Sequence, residues 1–314
     1  MFGDKMHKSK YFLLLSTLIV SSCSLFKARV PLPQYQVIDQ VVHPGKVKKV
    51  QVKVPQIGKD HKLICAKSEV NTLLEKDQLT GYFSVNYKYL RDETNSRLIP
   101  CYLQSNIQGD LVNFHVFNMR VEEWDYPKSF INVAKKHVDL SKENLDRYLK
   151  EKAELKEVYE NLVKGEKLFT ESFRAPLKSK ITGVYGSRRV FNNKKDSWHS
   201  GTDFRARRPT PIPSSNRGRV VHAKHLFFNG KAVFIDHGMG VLTMYCHLSR
   251  IDVKVGDIVE KAQVIGLSGN TGRSSAPHLH WGVRVQNNWI DGLQFLKEQG
   301  EYPLEANYKS TSSK

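Results

Sequence analysis

The chain has 314 residues, 40% hydrophobic and 25% charged, the balance of a folded protein of about two domains. That excludes a multi-span membrane protein and a mainly disordered chain. With 49 Lys+Arg against 31 Asp+Glu the formal charge is +18, which suits an anionic partner such as nucleic acid, an acidic membrane surface or an anionic wall polymer, and four cysteines are too few for a disulfide-built scaffold.

Lys5, Lys8 and Lys10 precede an apolar run over residues 11–20. The run is too short for a bilayer core, which needs about 20 residues, and residues 1–22 have the layout of a secretory signal peptide. The run ends in Val20-Ser21-Ser22-Cys23, which resembles a bacterial lipobox. The resemblance implies that Cys23 is lipidated, becomes the new N-terminus and anchors the chain to a membrane. The plainer alternative is a signal peptide cut nearby, with Cys23 incidental. On both readings the chain is exported, which argues against a nucleic-acid partner. Ser24 follows the cysteine, and resemblance to Gram-negative lipoproteins implies the periplasmic face of the outer membrane.

Residues 23–45 contain Pro31, Pro33, Pro44 and Gly45 with little periodicity and read as a tether. Residues 46–137 carry short alternating apolar runs at 50–54, 82–87 and 111–117, separated by turn-prone residues. They predict an N-terminal β-sandwich-like domain. Cys65 and Cys101 both fall there; in an exported protein they are either a disulfide or two buried thiols. Residues 138–169 read as a helical linker. Leu145, Leu149, Val158, Tyr159 and Leu162 keep helical spacing and predict a helix over 142–163, capped by Ser141 and stopped by Gly165. Glu143 with Arg147 and Asp146 with Lys150 are supporting i,i+4 pairs, and the helix is assigned a spacer role. From residue 170 to 299 glycines become frequent and β-rich runs recur at 219–221, 232–235, 241–245 and 281–285, which predicts a compact all-β domain. Residues 300–314 are a polar tail. The expected fold class is mainly β.

Seven of the twelve histidines fall between positions 199 and 280. His199 and Asp203 stand four apart. His278-Leu279-His280 on a strand would project both imidazoles to one face while Leu279 packs inward. His247 ends the run at 243–247. Zinc suits such a set, since it takes His nitrogen and Asp oxygen and a catalytic site uses three protein ligands plus a water. Four histidines and one aspartate exceed three ligands; the two left over suit hydrolysis by a metal-activated water. Cys246 reads as a buried thiol, because it and His247 would face opposite sides of a strand.

Residues from about 180 to 292 resemble the lysostaphin-type (LytM-like) zinc peptidases of bacterial cell walls. The matching stretches are His199-Ser-Gly-Thr-Asp203-Phe, Ile235-Asp-His-Gly238, Thr243-Met-Tyr-Cys-His247-Leu-Ser249, Val255-Gly-Asp-Ile-Val259, Ile265-Gly-Leu-Ser-Gly-Asn-Thr-Gly-Arg273 and Pro277-His-Leu-His-Trp281. The resemblance implies a C-terminal LytM-like peptidase domain binding one zinc ion through His199, Asp203 and His280. It implies that His247 and His278 are catalytic without being ligands, and that peptidoglycan peptides are the substrate. Pro209, Ala276 and Cys246 depart from the usual residues at their positions; they bear on loop shape and leave all five site residues in place.

The remaining histidines receive structural readings: His222 and His225 as strand surface, His237 in a tight turn before Gly238. Arg188 and Arg189 either line the groove and meet a substrate carboxylate or form a solvated basic patch. Two rival functions make different demands on the sequence. Some relatives have lost zinc ligands and serve as non-catalytic regulators of wall amidases, but all five residues are present here. Val255-Gly-Asp-Ile-Val259 through Ile265-Gly266 also resembles hairpins of biotinyl/lipoyl-type carrier domains, which present a lysine usually after Met, but no Met-Lys pair occurs in the chain.

Overall fold

A computed structural model of the chain describes residues 32–131, 139–192 and 195–300. The expected signal peptide, the lipidation site Cys23, the first part of the tether and the tail from 301 lie outside the described residues.

The N-terminal strands are β1 (Ile38–Val42), β2 (Val47–Lys53), β3 (Lys59–Cys65), β4 (Ser68–Val70), β5 (Thr72–Glu75), β6 (Gln78–Ser84), β7 (Leu98–Ile107), β8 (Asp110–Val121) and β9 (Lys128–Ile131). β1 lies within the stretch read as a tether and pairs parallel with β8, so the β region begins before residue 46. One sheet runs β1-β8-β7-β3-β4 and a second β2-β6-β5. Alternation along β7 buries Ile99, Cys101, Leu103 and Ile107, as period-two side chains require. These meet Val50, Val52, Leu79 and Phe83 of the second sheet in one core. Cys65 and Cys101 are register partners across β3 and β7 and form a disulfide.

Helix α1 (Lys142–Glu160) follows, with the Ser141 side chain accepting from the Asn144 N–H, a standard N-cap. It ends three residues before the expected boundary, because the Val163 N–H is drawn to Asp236 Oδ2 at 2.8 Å. Arg147 pairs forward with Glu151 at 2.8 Å rather than back with Glu143. The helix links the two β regions in sequence and also packs on the second. Tyr159 stacks over Phe234, and Arg284 lies 3.9 Å from the Tyr159 ring centroid. Leu162 is buried, whereas Leu145 and Leu149 of the same predicted stripe are exposed; only the C-terminal half of the apolar face is covered.

The C-terminal strands are β10 (Ile181–Gly183), β11 (Arg188–Phe191), β12 (Lys195–Trp198), β13 (Thr202–Arg205), β14 (Pro211–Pro213), β15 (Gly218–Leu226), β16 (Gly230–Asp236), β17 (Val241–Leu248), β18 (Arg250–Ile251), β19 (Ile258–Val259), β20 (Val264–Leu267), β21 (His278–Val285) and β22 (Asn288–Ile290), followed by α2 (Gly292–Glu298). The main sheet runs β10-β13-β21-β17-β16-β15-β19, with β22 beside β21. One face carries Tyr245, Leu279, Trp281, Val283 and Val285 into the main core against Phe295 and Leu296 of α2. The other carries Leu242, Met244, Cys246 and Phe234 under α1. β9 pairs parallel with β11, so a strand of the N-terminal region extends the β11–β12 hairpin. The regions are also joined by Lys46 Nζ to Asp291 at 2.6 Å and by Gln294 to both backbone groups of Val47.

Candidate active site

Asp203 on β13 is the register partner of His280 on β21. Directly opposed residues share a face, so this pairing brings carboxylate and imidazole together while Phe204 and Leu279 enter the core. His199 joins them through a turn at Ser200-Gly201. A Cβ on Gly201 would lie 2.4 Å from the Trp281 carbonyl oxygen and 2.9 Å from the His280 ring; glycine is what lets the turn come this close. His199 Nε2, Asp203 Oδ1 and His280 Nδ1 are each 2.9 Å from one another.

The His199 ring is fixed from behind. Its Nδ1 lies 2.8 Å from the Val184 carbonyl oxygen, which can only accept, so Nδ1 carries the proton and Nε2 faces the cluster with its lone pair. Its backbone is clamped by His199 N–H to Ser187 O and by Gly186 N–H to His199 O.

His278 and His280 lie two apart on β21, on the same face. The His278 Nδ1–H donates to the Ala276 carbonyl at 2.8 Å, a contact to backbone that is indifferent to the Ala276 side chain. Its Nε2 is 3.6 Å from Asp203 Oδ1. His247 arrives by a different device. Cys246 is the register partner of His280, so strict alternation would turn His247 to the opposite face. The β16–β17 register shifts here, with Cys246 and His247 set against the single residue Ala232, and His247 takes φ +62°. This bulge swings the imidazole to the site, where its ring centroid is 4.7 Å from that of His278 and 6.0 Å from that of His280. The His247 Nδ1–H donates to Thr271 O at 2.8 Å, leaving Nε2 bare.

The two arginines read together in the sequence part company. Arg189 Nη2 donates to Asp203 Oδ2 at 2.5 Å, with the Arg189 side chain only 17% exposed. Gly183 makes room for the pair, since a Cβ there would be 2.5 Å from Asp203 Oδ2 and 2.7 Å from Arg189 Nη2. Arg188, its neighbour on β11, lines a separate cavity with Trp198. Burial works against the Asp203 carboxylate, but His199, His280 and Arg189 outweigh it and hold it well below the usual range. Burial pushes His199 down to about 4. Burial, with His278 and His280 alongside, keeps His247 well below its ordinary value. His247 is therefore a neutral imidazole near pH 7.

These residues fit a divalent ion. Two bare imidazole nitrogens and one carboxylate oxygen, or the same set with His280 Nδ1 protonated, converge inside hydrogen-bond distance, a donor set that a cation stabilises. The triangle is small enough for one ion to reach all three corners at zinc–ligand lengths of about 2.0–2.2 Å. His199 Nδ1 on a carbonyl and Asp203 Oδ2 on an arginine are the outer contacts that orient such ligands.

The other histidines are structural. His237 is buried, with Nδ1 on Arg217 O and Nε2 2.8 Å from Thr243 Oγ1. His225 is on the strand surface, where its ring meets Arg147. His222 corrects the surface reading: it is 4% exposed and packs on Phe234, because α1 covers this face of β15. Cys246 is a buried free thiol pushed up to about 12 by burial, which leaves no thiolate to act as a nucleophile.

Residues 197–292 match the sequence model of peptidase family M23. Peptidoglycan DD-endopeptidase ShyA of Vibrio cholerae is 38% identical over 133 residues, 41% of this chain and 31% of that protein. Lysostaphin of Staphylococcus simulans is 38% identical over 109 residues, 32% of this chain and 22% of that protein. The matches thus span about a third or less of these relatives. A crystal structure from Pseudomonas aeruginosa, described as a peptidase M23, superposes with a TM-score of 0.60 at 26% identity, covering 81% of this chain and 94% of that one. The C-terminal region of the chain has the fold of the M23 peptidases.

Proposed function

We propose that the chain is a zinc-dependent endopeptidase that hydrolyses peptide bonds in peptidoglycan stem peptides or cross-links, using a metal-activated water. The observation that carries this reading is the triangle of His199, Asp203 and His280 with two further imidazoles beside it, neither of them needed as a ligand. A zinc ion held there would supply a water of lowered pKa and polarise the scissile carbonyl.

The chain's own residues do the rest. Arg189 fixes the Asp203 carboxylate, and Val184 O fixes the His199 ring. His247 and His278 each have Nδ1–H tied to a carbonyl, so each presents a bare Nε2 to the site. One takes the proton of the attacking water. Once protonated, an Nε2–H can donate to the developing oxyanion or to the leaving amine. Positioned proton transfer of this kind contributes about 10²–10⁴ in rate. The names of the matched relatives, peptidoglycan endopeptidases among them, support the substrate class. Mass analysis of purified sacculi after digestion with residues 24–314 tests it; release of peptides cut within stems or cross-links is expected, and unaltered sacculi would refute it.

We also propose that Cys23 is lipidated and holds the enzyme on the periplasmic face of the outer membrane. The lipobox-like Val20-Ser21-Ser22-Cys23 supports this. Fractionation of Cys23→Ala tests it: the variant should leave the membrane fraction, and unchanged membrane association would refute the anchor.

A further inference from the structure

A second cavity opens on the β11–β12 hairpin, away from the cluster that Arg189 touches. It has a volume of about 410 Å³ and is walled by Tyr87, Lys88 and Arg91 of the N-terminal region and by Gly186, Arg188 and Trp198 of the peptidase region. The Tyr87 and Trp198 rings stack at 3.6 Å and form an aromatic floor. Lys88 Nζ and Arg91 Cζ both gather over Tyr87, 5.5 and 5.6 Å from its centroid. Neither forms an ion pair among the described residues, and none of the described lining residues is acidic.

Lys88 and Arg91 stand side by side on one concave wall, and a cleft lined by one sign of charge concentrates counter-ions of the other. Lysine and arginine together offer the donors that carboxylates accept, with arginine able to bind both oxygens of one carboxylate. The aromatic floor suits the aliphatic part of a peptide, so the pocket is not built for a bare inorganic anion. It is coupled to the candidate active site through the backbone: Trp198 immediately precedes His199, and the Gly186 N–H on the cavity wall donates to His199 O at 2.8 Å.

We propose that this cavity is a binding site for a carboxylate-bearing peptide, held by Lys88 and Arg91 over the Tyr87–Trp198 stack, and that it seats an acidic stem peptide beside the one being cut. The second half of this statement rests on the peptidase reading above; the first half does not. The site would be composite, completed only where the N-terminal region meets the β11–β12 hairpin, which gives that region a part in substrate recognition.

The test is isothermal titration of the whole zinc-loaded protein with a stem peptide bearing free carboxylates, and with the same peptide amidated. The wild type should bind the free form at least tenfold more tightly. In Lys88→Gln/Arg91→Gln, two exposed positions, that preference should fall to within about twofold. Equal affinity of the wild type for both forms, or a preference untouched in the double variant, would overturn the proposal. So would competition by inorganic phosphate at the peptide's own concentration, which would mark a general anion site. A wild type that binds the peptide through these residues but leaves sacculi intact would keep the cavity and refute the peptidase reading. One that cuts sacculi without any carboxylate preference would do the reverse.

Discussion

Arg189 and Asp203 are joined at 2.5 Å through Asp203 Oδ2, while Oδ1 of the same carboxylate faces His199 and His280. One oxygen is thus committed to holding the side chain, and the other is free to serve as a ligand in the proposed metal site. Arg189→Gln removes the charge that compensates a buried carboxylate. Loss of such an outer partner commonly costs 10–100-fold in metal affinity or activity. Competition against a chromophoric chelator should show zinc affinity falling by that range; unchanged affinity would remove Arg189 from the site.

His280→Ala and His278→Ala should separate metal binding from proton transfer. The first takes away a corner of the triangle and should abolish zinc binding and hydrolysis together. The second should spare most of the zinc and lower the rate by about 10²–10⁴. Metal content measured beside turnover decides it; full zinc in His280→Ala, or wild-type turnover in His278→Ala, would contradict the assigned roles.

Gly201→Ala tests the close approach of the His199 turn. Its Cβ would meet the Trp281 carbonyl at 2.4 Å, and overpacking of this kind costs about 1–3 kcal/mol. Gly165→Ala is the control, since nothing lies within 4 Å of its Cβ and a surface change there stays within about 0.5 kcal/mol. Denaturant melts of the two variants should differ accordingly, and equal stability would show that the turn can relax.

The pattern of the site was largely legible in the sequence. Period two on a strand puts His278 and His280 on one face, and the five residues expected to form the site are those the structure gathers. His247 is the exception in mechanism: alternation alone sends it away from His280, and nothing in Cys246-His247-Leu248 announces a bulge with positive φ. The different fates of Arg188 and Arg189 follow from their opposite sides on β11, which becomes meaningful only once β11 is placed beside Asp203. His222 could not be read as buried, because its burial depends on where α1 docks. The apolar stripe of α1 likewise predicted a helix but not that its first half would stay uncovered.

Acid should destabilise the fold through His237. Burial pushes its pKa down to about 4, against the pull of its bond to Arg217 O. The folded state therefore keeps it neutral, while the unfolded chain takes up a proton below about pH 6.5. Stability is fully present above that pH and falls as pH drops towards 4, by up to about 1.4 kcal/mol per pH unit for this group. Urea unfolding between pH 7 and 5 on a zinc-free His280→Ala background, with and without His237→Asn, isolates the slope from metal release. The second substitution should flatten the slope; an identical slope would contradict the assignment.

The most direct trial is to digest purified sacculi with the zinc-loaded chain from residue 24, before and after chelation, and to weigh the soluble fragments by mass spectrometry. Fragments cut at stem or cross-link peptide bonds should appear with the loaded protein, vanish on chelation and return when zinc is restored. Equal cleavage by the chelated protein, or none by the loaded one, would contradict the claim that His199, Asp203 and His280 hold the metal on which hydrolysis depends.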